Sequence, residues 1–281
     1  MTWLKEVFGR NKVVIGMVNC PPMPGTAWYD EKAGLPFITK RVEHDLLALQ
    51  EGGIDAVLFH NENDRPFVTD IGPEIVATMT RAITQVLPKV KVPFGVDVLA
   101  NTSAALAIAL ATGAAFVRDD MGSWINNAGE LLRYRRKIGA NHIKLLFTIN
   151  ADVLVGRELA IVAHTAPSYY GADAISLAYL GTPDREAVVP ETKQVLAGGH
   201  TPHAEVRLSD LALVKKVAAI PVLVNVGSRV ENVAQELAIA DGVIVGTDLK
   251  VDRITWNPVD PERVRAYMRV VNTVDGRSTI H

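Results

Sequence analysis

The 281-residue sequence has a single cysteine, Cys20, which rules out an internal disulfide and any zinc site built on several thiolates. A chain so poor in thiols suits a reducing compartment, and the cytoplasm is the expected location. An excess of charge is also lacking, with 29 Lys and Arg against 31 Asp and Glu and a formal net charge of −2. Nucleic acid and anionic lipid are held mainly by clustered positive charge, so neither is an expected partner. The short basic run of Arg133, Arg135, Arg136 and Lys137 reads as the solvated face of a helix. No window reaches the roughly 18 apolar residues of a membrane span, and the first six residues lack the basic-then-apolar order of a signal peptide. Neither stable membrane insertion nor export is expected. The glycine fingerprint of dinucleotide-binding folds is missing as well. After the first apolar run comes Asn19-Cys20-Pro21-Pro22, whose prolines remove the amide donors such a loop needs.

What the chain does have is a core and a repeat. It is 48% hydrophobic and 21% charged, the composition of a compact α/β enzyme. Eight short apolar runs stand out, namely Val13–Val18, Ala56–Phe59, Phe94–Leu99, Ala115–Arg118, Ile143–Ile149, Ala174–Ala178, Val222–Val226 and Gly242–Val245. Their nearly continuous aliphatic character is that of parallel strands buried on both faces. Between them, apolar residues recur at helical spacing, as in Val42, Leu46, Leu49 and in Ile75, Met79, Ile83, Leu87. Pro73 suits a first helical turn, Thr102 or Ser103 an N-cap, and Gly113 a helix end. Eight strand-then-helix units predict one closed (β/α)8 barrel over residues 1–281 rather than an open doubly wound sheet. Two stretches interrupt the repeat, Cys20–Phe37 and Gly181–Leu208. Both are expected to be long loops, acting as lids on the face where barrels build active sites.

Strands seven and eight end alike. Asn225-Val226-Gly227-Ser228 leads toward a helix expected near Val230, and the eighth run stops at Gly246-Thr247. Glycine lets the backbone approach a ligand, the hydroxyl adds a donor, and unpaired amides near a helix start attract anions. Two such endings in consecutive final units predict a phosphate cradle formed by Asn225, Gly227, Ser228, Gly246 and Thr247.

Chemistry is expected at the ends of strands two to five. His60, Asn61 and Glu62 follow an apolar run, where a carboxyl partly removed from water gains the raised pKa of a general acid or base. In a rival reading, Asn61 and Asp64 only shape the turn before Pro66 and leave Glu62 solvated. Asp97 and Asp119 lie in or at the end of strands, where a charge is costly unless paired. Lys144 is the candidate for a Schiff base, although it stands early in its run. No cofactor is signalled. His60, Glu62, Asp97 and Asp119 are metal-ligand residue types without a spacing motif, which leaves a divalent metal open. His200 and His203 read as surface residues of the second long loop.

Several segments together resemble the BtpA family. They are Met1-Thr-Trp-Leu-Lys-Glu-Val-Phe-Gly, Val14-Ile-Gly-Met-Val-Asn-Cys-Pro-Pro-Met-Pro-Gly-Thr, Leu49-Gln-Glu-Gly-Gly-Ile-Asp-Ala-Val-Leu-Phe-His-Asn-Glu-Asn, Phe94-Gly-Val-Asp-Val-Leu and Ala240-Asp-Gly-Val-Ile-Val-Gly-Thr-Asp-Leu-Lys, with Asn257-Pro-Val-Asp beyond. The resemblance implies a TIM barrel of the ribulose-phosphate-binding kind. It leaves function divided, because the family includes both a photosystem I biogenesis branch and an SgcQ-like sugar-operon branch. Relative to the family pattern, Arg118–Gly129 is shorter and Ala187–Leu208 longer. The expected function is metabolism of a phosphorylated sugar or related small phosphorylated metabolite by an isomerase, a lyase or aldolase, or a glycosidic hydrolase. The alternative is a non-catalytic assembly or regulatory factor. Association into a homo-oligomer is expected.

Overall fold

The computed structural model describes residues 2–120, 124–150, 158–178 and 205–275. The strands are β1 (Val13–Asn19), β2 (Ala56–His60), β3 (Phe94–Asp97), β4 (Phe116–Asp119), β5 (Lys144–Asn150), β6 (Ala174–Ala178), β7 (Val222–Asn225) and β8 (Gly242–Val245). All pair in parallel and in sequence order. β8 returns to β1 through Val13↔Gly242 to Gly16↔Val245, closing the barrel. The helices among the described residues are α1 (Trp3–Phe8), α2 (Gly34–Glu51), α3 (Pro73–Val86), α4 (Thr102–Thr112), α5 (Trp124–Lys137), α6 (Leu159–Tyr170), α7 (Leu208–Val217), α8 (Val233–Ile239) and α9 (Pro261–Asp275).

Because successive strand side chains point to opposite faces, each strand contributes to two apolar clusters. Val14, Val18, Val57, Phe59, Val96 and Val117 face the helices. Ile15, Met17, Leu58, Phe116, Leu146 and Leu223 fill the interior. α1 closes the N-terminal end, with Leu4 and Phe8 in that inner cluster and the Phe8 ring edge-on to Phe116 at 5.7 Å between centroids. On the seam between β8 and β1, fully buried Lys250 donates to Asp45 of α2 at 2.9 Å and to the Met17 carbonyl at 3.3 Å. Asp45 also accepts the Val259 amide at 2.8 Å.

The boundaries differ from the sequence reading where side chains take over backbone partners. β3 stops at Asp97, because the Leu99 amide donates to the Asn61 side chain at 2.8 Å. α4 is capped by Asn101, whose Oδ1 accepts the Ala104 amide at 3.0 Å, and neither Thr102 nor Ser103 serves as its cap. The helix expected near Val230 begins at Val233, because the Arg229 and Val230 amides go to the side chains of Asn232 and Asp248. Arg135 is not simply solvated. Its guanidinium binds the carbonyls of Asn141 and Ile143. The Cys20–Phe37 loop is tied to the loop after β2, Asp64 accepting the Met23 amide at 2.9 Å and Asn63 donating to the Cys20 carbonyl at 2.7 Å. Residues 181–204 of the second long loop, with His200 and His203, lie outside the described residues, as do residues 121–123 of the shortened segment.

Candidate active site

Strand register places Asn19 opposite His60, and His60 opposite Asp97. The three share the inward parity of Met17 and Leu58, so they form one row at the C-terminal end of the lumen. Two residues beyond inward-facing Phe116, Arg118 of β4 continues the row. Its guanidinium organises the centre. Nε donates to Asp97 Oδ2, Nη1 donates to Asn225 Oδ1 at 2.8 Å, and Nη2 pairs with Asp120 at 3.1 Å. His60 Nε2 lies 3.8 Å from Asp97 Oδ2, and Nδ1 lies 3.2 Å from Glu62 Oε2 without hydrogen-bond geometry. Both His60 ring nitrogens, Asp97 Oδ1, Asn19 Oδ1 and Asn225 Nδ2 are buried with no hydrogen-bond partner among the described residues.

Burial sets the protonation states here. The His60 imidazole is held well below its ordinary pKa by desolvation and then by the Arg118 cation, so it is neutral near pH 7. Glu62, whose side chain keeps 29% of its exposure, is pushed up to about 7 by desolvation and by Asp120. Burial also raises Asp97, against the pull of Arg118.

Other expected residues lie elsewhere. Asn61 is committed to the scaffold, with Oδ1 accepting the Leu99 amide and Nδ2 donating to Asp64 at 3.2 Å, as in the turn-shaping alternative. Asp119 has outward parity and accepts the Thr102 hydroxyl at 2.6 Å, between β4 and α4. Lys144 opens β5 level with Phe116 and pairs with Asp173 at 3.6 Å, at the N-terminal end of the barrel and away from the mouth. Sequence reading passed over Arg118 and Asn19. Counting alternate residues from Phe116 and Met17 finds both. Among the described residues no group of three or more His, Cys, Asp or Glu is placed to hold a metal ion.

The loops after β7 and β8 are bound to each other. Asp248 accepts the Val230 amide at 3.0 Å and pairs with Arg263 at 3.0 Å. Val226 and Gly227 both adopt left-handed backbone, with φ of 80° and 81°. Ser228 turns its hydroxyl inward, 2.5 Å from Glu236 Oε2 and 2.6 Å from the Tyr267 hydroxyl, so this loop presents backbone outward. Burial pushes Glu236 up to about 7. Thr247 Oγ1 lies 2.9 Å from Thr255 Oγ1, and a Cβ on Gly246 would meet Met17 at 3.2 Å. Asn225 belongs to the lumen through Arg118 and not to this loop pair.

The BtpA family model matches residues 10–273. The chain belongs to the BtpA family. The segments carrying the BtpA resemblance supply Asn19, His60, Glu62, Asp97, Gly246 and Thr247, all at strand ends on the C-terminal rim. Among relatives, the putative sgc region protein SgcQ of Escherichia coli is 36% identical, with 98% of this chain and 99% of the relative covered. The photosystem I biogenesis protein BtpA of Synechocystis is 31% identical, covering 95% and 91%. Solved structures share the fold alone. Thiamine phosphate pyrophosphorylase of Pyrococcus furiosus aligns with a TM-score of 0.54 at 16% identity, over 94% of this chain and 96% of that one. Tryptophan synthase of M. tuberculosis aligns with a TM-score of 0.56 at 19% identity, over 99% of each.

Proposed function

We propose that this BtpA-family barrel is an enzyme that transfers protons on a small phosphorylated metabolite, with Glu62 and Asp97 as acid and base. One observation carries the reading, the cluster of His60, Glu62, Asp97, Arg118 and Asn225 at the C-terminal end of the lumen, in which both His60 nitrogens, Asp97 Oδ1 and Asn225 Nδ2 have no hydrogen-bond partner among the described residues. A carboxyl titrating near 7 gives and takes protons at neutral pH with equal ease. Beside it, Asn225, held through Oδ1 by Arg118, keeps an Nδ2 donor that is placed to stabilise an oxyanion without reorganising. That combination favours proton abstraction next to a carbonyl, as in an isomerase. The left-handed backbone at Val226 and Gly227, with Gly246 on the adjoining loop, supports phosphate binding there. A lysine Schiff base draws no support, since Lys144 stands at the other end of the barrel.

Deuterium exchange from heavy water into aldose and ketose phosphates, followed by NMR, tests the reaction. Wild type exchanges the hydrogen next to the carbonyl, and Glu62→Gln loses about 10²- to 10⁴-fold in rate with unchanged melting. Unimpaired function in both Glu62→Gln and Asp97→Asn would defeat the enzyme reading. It would favour an assembly role instead, for which the biogenesis name of the Synechocystis relative is the support.

A further inference from the structure

The unpartnered atoms of the lumen have a chemical signature. Asn225 is oriented by Arg118, whose Nη1 donates to Oδ1, so its Nδ2 is left as a donor. Asn19 is oriented by Nδ2, which donates to the Thr255 carbonyl at 3.4 Å, so its Oδ1 is left as an acceptor. Asp97 Oδ1 is a second acceptor. A neutral His60 adds one donor and one acceptor. These atoms come from the C-terminal ends of β1, β2, β3 and β7, with Asn225 joined to Asp97 through Arg118. Buried polar groups left unmatched cost their full desolvation, so the set calls for a partner that both donates and accepts.

We infer that the substrate portion entering the lumen is an uncharged, hydroxyl-bearing carbon skeleton, as in a sugar or polyol phosphate, and that Asn19 and Asn225 select it over a phosphorylated acid. The inference rests on the proposed reading of this site and names its substrate class. A hydroxyl is the neutral group that donates and accepts at one atom, which fits a ring of mixed donors and acceptors. A carboxylate only accepts, so the acceptors Asn19 Oδ1 and Asp97 Oδ1 would face it unmatched. It would also meet Glu62, Asp97 and Asp120 around a single guanidinium, and two of those carboxylates are already paired with that guanidinium. Like charge and missing donors act together against it.

A matched pair of probes tests this on the full wild-type chain. Glycerol 3-phosphate and 3-phosphoglycerate share a skeleton and a phosphate, and differ in a terminal hydroxymethyl or carboxylate group. Calorimetric titration of both, and of inorganic phosphate, is expected to show glycerol 3-phosphate binding at least tenfold more tightly than either. Asn19→Ala is expected to bring glycerol 3-phosphate down to the affinity of inorganic phosphate while leaving inorganic phosphate unchanged. Equal affinities for glycerol 3-phosphate and phosphate would mean that water satisfies the lumen, and would overturn the inference while sparing the phosphate cradle. Preference for 3-phosphoglycerate overturns it equally. Tight glycerol 3-phosphate binding without inorganic phosphate binding supports the lumen assignment and sinks the cradle. No binding by any of the three overturns both.

Discussion

At the scale of the residue, burial decides what each polar side chain does. Glu236 lies under the loop after β7, fully enclosed, with its carboxyl raised from 4.5 to about 7 by desolvation and only partly relieved by Ser228. The folded state therefore holds this proton more tightly than the unfolded chain. The resulting stabilisation is complete below about pH 4.5 and is lost as pH rises through about 7. A shift of that size corresponds to roughly 3 kcal/mol. Urea unfolding of Glu236→Gln should therefore show a shallower loss of stability between pH 5 and 8 than wild type, and an unchanged slope would exclude Glu236 as its source. The residue types were legible in sequence at His60, Glu62 and Asp97, where a charged or polar residue ends an apolar run. Asn61 and Asp119 carried the same signal for scaffold reasons. Local sequence does not separate a carboxylate that binds a neighbouring loop from one left facing the lumen.

At the scale of the element, alternation along the strand governs. Arg118 faces inward and Asp119 outward because Phe116 packs in the interior. Counting from an inward anchor would have ranked the two correctly. Inward packing at the closed end also depends on α1, which no strand-helix unit requires. Leu4→Ala should cost about 2–4 kcal/mol through the cavity it leaves, measured by chemical denaturation. A cost under 0.5 kcal/mol would show that the helix merely rests on the barrel. Gly95 is the complementary case, since an added Cβ would collide with the Phe116 ring. Gly95→Ala should therefore destabilise by about 1–3 kcal/mol, and Phe116→Leu in the same chain should recover part of that loss.

At the scale of the whole molecule, closure brings together what the chain separates. The Lys250–Asp45 pair joins the end of β8 to α2 with both partners fully buried. Lys250→Met leaves Asp45 with Arg41 and the Val259 amide but without its buried cation. The expected cost is about 3–5 kcal/mol. Adding Asp45→Leu should restore most of it, and additive losses in that double-mutant cycle would rule out coupling. If the joined loops after β7 and β8 hold phosphate, a concentration of 100 times the dissociation constant should stabilise the chain by about 2.7 kcal/mol. Gly246→Asp should abolish that increment, read as the difference in stability with and without phosphate for each protein, because the added Cβ also presses on Met17.

Eight apolar runs and their order were readable in the chain, because a parallel strand buried on both faces reads as a nearly continuous apolar run. The barrel and most strand positions follow from that alone. What awaited the folded molecule was convergence. Lys144 opens β5 opposite Phe116, two register positions below Arg118, so only Arg118 reaches the mouth. Arg118 meets Asn225 across 107 residues of sequence. Such a contact leaves no periodic trace in either segment, and the partnerless donors and acceptors beside it exist only once eight strands have closed around them.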